Sequence, residues 1–139
     1  MGKIILGNTG SDIHSVANQL LEIELSRNFE VLNLGVAVPN LEWIENVKSF
    51  KPDLILIGSM NGDLSPVLDL LNCLRELHFP MKKIIVGGNL KLGANGLEIV
   101  EILKQLGTKV ISDSNLNFTE ISEFCQELID THKFKSNLI

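Results

Sequence analysis

Tyrosine is absent from the 139-residue chain, tryptophan occurs once and cysteine twice, and aromatic residues make up only 5% of it. A flavin ring stacked between aromatic loop residues would find no partner, because the single tryptophan, Trp43, falls inside a predicted helix. Cys73 and Cys125 lie far apart and outside any Cys-x-x-Cys pair, so they read as small core hydrophobes of a reducing compartment. Basic residues are also scarce. The 12 Lys and Arg against 17 Asp and Glu leave a net charge of −5, and the only adjacent basic pair is Lys82-Lys83. No electropositive face suited to nucleic acid is expected. No apolar run exceeds five residues, far short of the roughly 20 that span a bilayer. The first residues hold no signal-peptide core, and Leu6 stands where a myristoylated Gly2 would require Ser or Thr. These absences point to a cytoplasmic protein with neither a membrane nor a nucleic-acid partner. A Gly-x-Gly-x-x-Gly is missing too, which removes the usual fingerprint of a dinucleotide site.

What is present is ordinary for a globular domain: 45% hydrophobic and 21% charged residues, in a length suited to one core. Residues 1–133 are expected to form that single domain, with 134–139 a frayed tail beyond His132. Five β-branched apolar runs alternate with five amphipathic segments. The predicted strands are Lys3–Gly7, Glu30–Leu34, Asp53–Gly58, Lys83–Gly87 and Thr108–Ser112. Leu54–Ile57 is apolar without alternation, the mark of a central strand buried on both faces. The first helix is predicted over Ile13–Arg27 with its apolar face inward. Gly35–Asn40 reads as a loop in which Asn40 caps a second helix, turning Leu41, Ile44, Val47 and Phe50 to the sheet. Ser65-Pro66 starts the third helix, which runs to about His78, and Gly107 ends the fourth. Asn117 with Glu120 resembles a capping box for the last helix, whose buried stripe is Phe118, Ile121, Phe124, Cys125, Leu128 and Ile129.

Strict βα alternation with short, right-handed connections predicts an α/β fold. The architecture is a flavodoxin-like (Rossmann-type), doubly wound, five-stranded parallel sheet of order 2-1-3-4-5 with helices on both faces. A ligand belongs at the switch point, over the C-terminal ends of the first and third strands. The loops there are Asn8–Asp12, Ser59–Asp63 and Gly88–Gly93, rich in glycine and small polar residues. Phosphorylation receivers share the fold but need an Asp ending the third strand and a Lys ending the fifth. Here Asp53 and Lys109 stand at the strand starts, so that reading fails. Asn8-Thr9-Gly10-Ser11 before a helix could cradle the phosphate of FMN; in the plainer reading, Asn8, Thr9 and Ser11 simply close a turn. His78 and His132 sit near helix ends as structural residues, and Asp63 and Asp113 solvate loops. Asp12 and His14 differ. A carboxylate beside an imidazole at a strand's C-terminal edge is the arrangement that orients a metal-binding or acid–base histidine.

Asp12-Ile13-His14-Ser15-Val16-Ala17 resembles the Asp-x-His-x-x-Gly signature of cobalamin-binding domains that bind the cofactor base-off and histidine-on. Gly58-Ser59-Met60 stands at that family's Ser-x-Leu position, and Val86-Gly87-Gly88 resembles its Gly-Gly motif. Gly10-Ser11-Asp12-Ile13-His14, Asn33-Leu34-Gly35-Val36 with Pro39, and Val86-Gly87-Gly88-Asn89-Leu90 with Gly93 are similar to the small cobalamin-binding subunits of glutamate mutase (methylaspartate mutase), over nearly the whole chain. The resemblance implies His14 as the lower axial ligand of cobalt and Asp12 as acceptor from its other ring nitrogen, the two catalytic-site residues of this chain. It places the cofactor among Ser11, Asp12, Ile13, His14, Ser15 and Ala17, with Gly58, Ser59, Met60, Gly87 and Gly88 lining a slot for the nucleotide tail. Asn89, Leu90, Lys91, Leu92 and Gly93 would contact that tail. Two departures stand out. Ala17 replaces a glycine, and Gly58 replaces a serine that in the family hydrogen-bonds the buried base. The implied activity is the cofactor-binding half of an adenosylcobalamin-dependent isomerase that interconverts L-glutamate and (2S,3S)-3-methylaspartate. A large TIM-barrel catalytic subunit would be the partner, two of each chain forming a heterotetramer. Rival readings are a non-catalytic cobalamin carrier or sensor and a corrinoid methyl-transfer protein, with an FMN protein behind them.

Overall fold

A computed structural model describes residues 2–9, 16–59, 65–88, 96–111 and 117–137. The elements follow in the order β1 (Gly2–Thr9), α1 (Val16–Leu25), β2 (Phe29–Val38), α2 (Asn40–Phe50), β3 (Leu54–Ser59) and α3 (Ser65–Glu76). After a short turn of 3₁₀ helix at Met81–Lys83 come β4 (Ile84–Gly88), α4 (Gly96–Gln105), β5 (Lys109–Ile111) and α5 (Phe118–Asn137). All four strand pairings are parallel, in the order β2-β1-β3-β4-β5. This is the flavodoxin-like arrangement that the alternation of apolar runs dictates.

The sheet separates two apolar layers. Ile5, Ile55, Ile57, Ile84 and Val86 face Trp43 and Val47 of α2, Val67, Leu70, Leu71 and Leu74 of α3, and Val100 and Leu103 of α4. On the other side Ile4, Leu6, Leu54, Leu56 and Ile85 face Leu25 of α1 and Cys125 and Ile129 of α5. Successive strand residues point to opposite faces, so both layers come from the same apolar runs. Leu54–Ile57 contributes equally to the two.

The strand at the β2 edge runs on through Gly35–Val38, where the sequence pattern suggested a loop. It does so with two register shifts against β1, between Leu6 and Gly7 and between Gly7 and Thr9, and with left-handed backbone at Gly35 (φ 93°) and Ala37 (φ 52°). Extra residues taken up as bulges let an irregular segment stay in the ladder. Helix α2 is entered through Pro39, which has no side-chain cap bond, and Asn40 is its first residue instead of the cap. That position turns Trp43 and Val47 inward and leaves Leu41 69% exposed. The capping box of α5 is present: the Glu120 N–H donates to Asn117 Oδ1 at 2.8 Å, and Asn117 Nδ2 donates to Glu120 Oε1 at 3.4 Å. The helix continues to Asn137, through most of the segment expected to fray.

Helix α1 keeps only part of its predicted inward face, Leu21, which packs on the core together with Leu25. Val16, Leu20 and Ile23 are exposed, while Asn18 and Leu25 are buried and Glu22 is half-buried. Polar bonds to β2 stand beside the apolar packing of Leu21 and Leu25. Gly35 N–H donates to Asn33 Oδ1 at 2.9 Å, Asn33 Nδ2 donates to Asn18 Oδ1 at 2.7 Å, and Asn18 Nδ2 donates to the Gly35 carbonyl at 3.5 Å. The three bonds close a ring. Glu22 Oε1 accepts a further bond from Asn33 Nδ2 at 2.9 Å. Buried amides satisfied this fully cost little, whereas any one left unpaired would cost about 1–3 kcal/mol.

Cys125 is fully buried against the sheet, and that burial pushes its thiol up from 9.0 to about 12. Between those values the unfolded chain releases the thiol proton and the folded chain retains it, so the contribution is whole below pH 9 and shrinks as pH rises. Replacing Cys125 with Ala removes this term, with a slope of about 1.4 kcal/mol per pH unit. Urea denaturation at pH 8 and pH 10 should therefore show the wild type losing more stability than Cys125→Ala.

Candidate functional site

Strand alternation sets the floor of the site. On the face that α1 and α5 cover, Ile4 and Leu6 of β1 are followed by Asn8, Leu54 and Leu56 of β3 by Gly58, and Ile85 of β4 by Gly87. Asn8 pairs with Gly58, and Gly58 with Gly87, so the three residues form one row at the C-terminal edge of the sheet. Apolar side chains fill the rows below. This last row carries one amide and two bare Cα atoms.

The bare position at Gly58 has a steric origin. A Cβ at Gly58 would lie 2.5 Å from Asn8 Oδ1 and 3.1 Å from its Cγ, closer than real Cβ contacts come. A Cβ at Gly87 would lie 3.4 Å from the Ile111 carbonyl oxygen, a normal contact distance. Asn8 is itself only 4% exposed. Its amide therefore occupies the space that a side chain at position 58 would take, and the backbone left uncovered by it is that of Gly87. A flat group can approach the backbone at Gly87 on this shelf, with the Asn8 amide beside it.

The residues expected to line the slot separate by face. Gly58 and Gly87 share the shelf. Ser59 is 2% exposed and, as the next residue of β3, turns to the α3 side, away from the row. Gly88 is the last residue of β4 and pairs with Ser59. Ala17 is exposed near the start of α1, so its methyl crowds no packed wall. Ser11, Asp12, Ile13, His14, Ser15, Met60, Asn89, Leu90, Lys91, Leu92 and Gly93 lie outside the described residues. Among the described residues no group of three or more His, Cys, Asp or Glu could hold a metal ion. No described helix is long and apolar enough to cross a membrane.

Thr9 and Asn8 belong to β1 instead of closing a turn, and the Thr9 hydroxyl donates to the Val38 carbonyl at 3.4 Å. Asn8 is the site residue that pattern reading passed over. Its signal was the alternation itself: with Ile4 and Leu6 on one face, residue 8 follows them. The receiver residues lie at the opposite edge. Lys109 opens β5, and Asp53 precedes β3 with its carboxylate on the Lys3 backbone N–H at 2.8 Å.

No model of a known protein family matches the chain. It is similar to a glutamate mutase sigma subunit of Treponema denticola, with 35% identity over 105 residues, 70% of this chain and 72% of that protein. It is also similar to glutamate mutase sigma subunit 1 of Haloarcula marismortui, with 32% identity over 128 residues, 89% of this chain and 83% of that one. Among solved structures, the methanol:cobalamin methyltransferase complex of Methanosarcina barkeri superposes with a TM-score of 0.74 at 16% identity. The match covers 93% of this chain and 46% of that longer one. At that identity the likeness shows the fold alone.

The shelf predicts an order of tolerance. Gly58→Ala should cost about 1–3 kcal/mol, the usual range for forcing atoms into a filled site. Gly87→Ala, with ordinary contact distances, should cost clearly less. Urea denaturation midpoints of the two variants check the ranking.

Proposed function

Because the chain belongs to the glutamate mutase sigma subunit family, we propose that it is the cobalamin-binding component of an adenosylcobalamin-dependent carbon-skeleton mutase. The observation that carries the proposal is the row of Asn8, Gly58 and Gly87 at the C-terminal edge of the sheet, one buried amide and two residues without side chains. The flat base of a cobalamin nucleotide tail fits a floor without Cβ atoms at the strand order's switch point. When bound, adenosylcobalamin supplies a carbon radical, the hard part of the reaction; the protein supplies position and shelter.

In this reading the His14 imidazole would hold the cobalt, and Asp12 would accept a hydrogen bond from its other ring nitrogen. Such a carboxylate fixes the tautomer and makes the imidazole a better donor to the metal. Ser11, Ile13, Ser15 and Ala17, the sequence neighbours of that pair, would contact the cofactor. By the family resemblance, Met60, Gly88 and the segment Asn89, Leu90, Lys91, Leu92 and Gly93 would contact the nucleotide tail. The hydrogen-bonded ring of Asn33, Asn18 and Gly35 anchors α1 just after the loop. It supports the loop's placement without taking part in the chemistry.

The substrate is held elsewhere. The only arginines are Arg27 and Arg75, one just after α1 and the other in the last turn of α3, where antiparallel helices bring them to the edge away from the shelf. Among the described residues no arginine stands near the row to grip the two carboxylates of an amino diacid such as L-glutamate or 3-methylaspartate. A large TIM-barrel subunit that caps the corrin would supply that grip, with two of each chain in the assembly.

The purified chain mixed with cobalamin should give an absorption spectrum of the base-off, imidazole-ligated form, and His14→Ala should lose that signature. A wild-type spectrum identical to free cobalamin would overturn the proposal. Without a large subunit the chain should show no mutase turnover; turnover by the chain alone would contradict the division of labour.

A further inference from the structure

We propose that a groove at the edge of the sheet opposite the shelf binds a small anionic amphiphile, an alkyl or aryl body carrying one carboxylate. The groove lies where α2 and α3 end and the chain turns back toward β3 and β4. Its volume is about 320 Å³, and Val47, Pro52, Leu77 and Phe79 line it together with Lys48 and Lys51. That is the low end for small-molecule sites, which cover an apolar body and fix it with a few polar groups. No carboxylate belongs to the lining, although acidic residues outnumber basic ones in the chain by 17 to 12.

The two lysines are uncommitted. Among the described residues neither ammonium takes part in an ion pair or a side-chain hydrogen bond. Lys3, at the same end of the sheet, is engaged: its Nζ donates to the Phe50 carbonyl at 3.3 Å and stands 4.9 Å from the centre of the Phe50 ring. The two turns that wall the groove pass through non-glycine residues in left-handed backbone, Lys51 (φ 54°) and His78 (φ 63°). Glycine usually fills such a helix-ending position, because a side chain there is strained. A lysine at 51 thus gives up stability and contributes a charge at the rim.

Several helix-end carbonyls that would repel an anion are already bonded. The Lys51 N–H donates to the Val47 carbonyl at 3.1 Å, and the N–H groups of Leu77, His78 and Phe79 donate to the carbonyls of Cys73, Arg75 and Leu74. An alkyl or aryl body would cover the apolar floor, with its carboxylate at the lysine rim.

Octanoate and its uncharged counterpart 1-octanol are titrated into the full chain by calorimetry, with Lys48→Gln/Lys51→Gly and Leu77→Trp as variants. Wild type should bind one octanoate per chain with a Kd of about 1 mM or tighter. It should prefer octanoate to octanol by about tenfold, the effect of two exposed ion pairs, and the double variant should weaken octanoate by about the same factor. Leu77→Trp fills the groove and should abolish binding. Lys51→Gly relieves the strained backbone, so the double variant should melt no lower than wild type. Octanol bound as tightly as octanoate, octanoate binding that survives either variant undiminished, or no saturable binding of octanoate would each overturn the proposal. None of these outcomes bears on cobalamin binding, which concerns the other edge of the sheet.

Discussion

The structure depends on a two-bond clasp at the bottom of its two central strands. The Lys3 backbone N–H donates to Asp53 Oδ2 at 2.8 Å, and the Asp53 N–H donates back to the Lys3 carbonyl at 2.8 Å. From there the parallel pairing of β1 and β3 runs without a slip from Ile4 and Leu54 up to Asn8 and Gly58. A shift of one residue would send each side chain to the other face. The apolar layers would then exchange occupants, and Asn8 would lie beside a residue that does have a Cβ. The position of the shelf at the top is thus set by hydrogen bonds five residues below it.

The two faces of the β1 end solve opposite packing problems by the same means. On the α2 side the absent side chain of Gly7 admits the Trp43 ring, whose Cζ2 would lie 2.9 Å from a Cβ there. On the α1 side the absent side chain of Gly58 admits the Asn8 amide. The first arrangement completes an apolar core around a fully buried indole, although its Nε1 has no hydrogen-bond partner. The second leaves a polar group at an otherwise featureless edge. Core and site are therefore built from neighbouring residues of a single strand, separated by the thickness of the sheet.

Much of this was legible in the sequence because apolar periodicity reports burial directly. The five strands, their order and the both-sided burial of Leu54–Ile57 follow from runs that no other fold class accommodates as well. Helix α1 was misread because the periodicity test treats Asn18 and Glu22 as outward-facing. Only the partner Asn33, fifteen residues away on β2, makes their burial affordable. The edge of β2 was misread for a related reason: Gly35 and Pro39 look like loop residues, and bulges absorb what a regular ladder would reject. Asn8 was hidden by its type, since an asparagine next to a glycine pattern suggests a turn unless the alternation of the preceding residues is carried forward. The steric link between positions 8 and 58 cannot be seen without coordinates, because nothing in a linear chain places those residues side by side.

The irregular backbone of β2 also bears on how molecules of this protein meet one another. A sheet's outer strands offer unpaired N–H and C=O groups that can recruit a strand from another molecule, the route to sticky, fibre-like association. At one border the left-handed backbone at Gly35 and Ala37 breaks the even spacing that such recruitment needs. At the other, β5 extends over three residues, Lys109–Ile111, and begins with an exposed lysine. Both borders thus offer an incoming strand only a short regular stretch, five residues of β2 and three of β5.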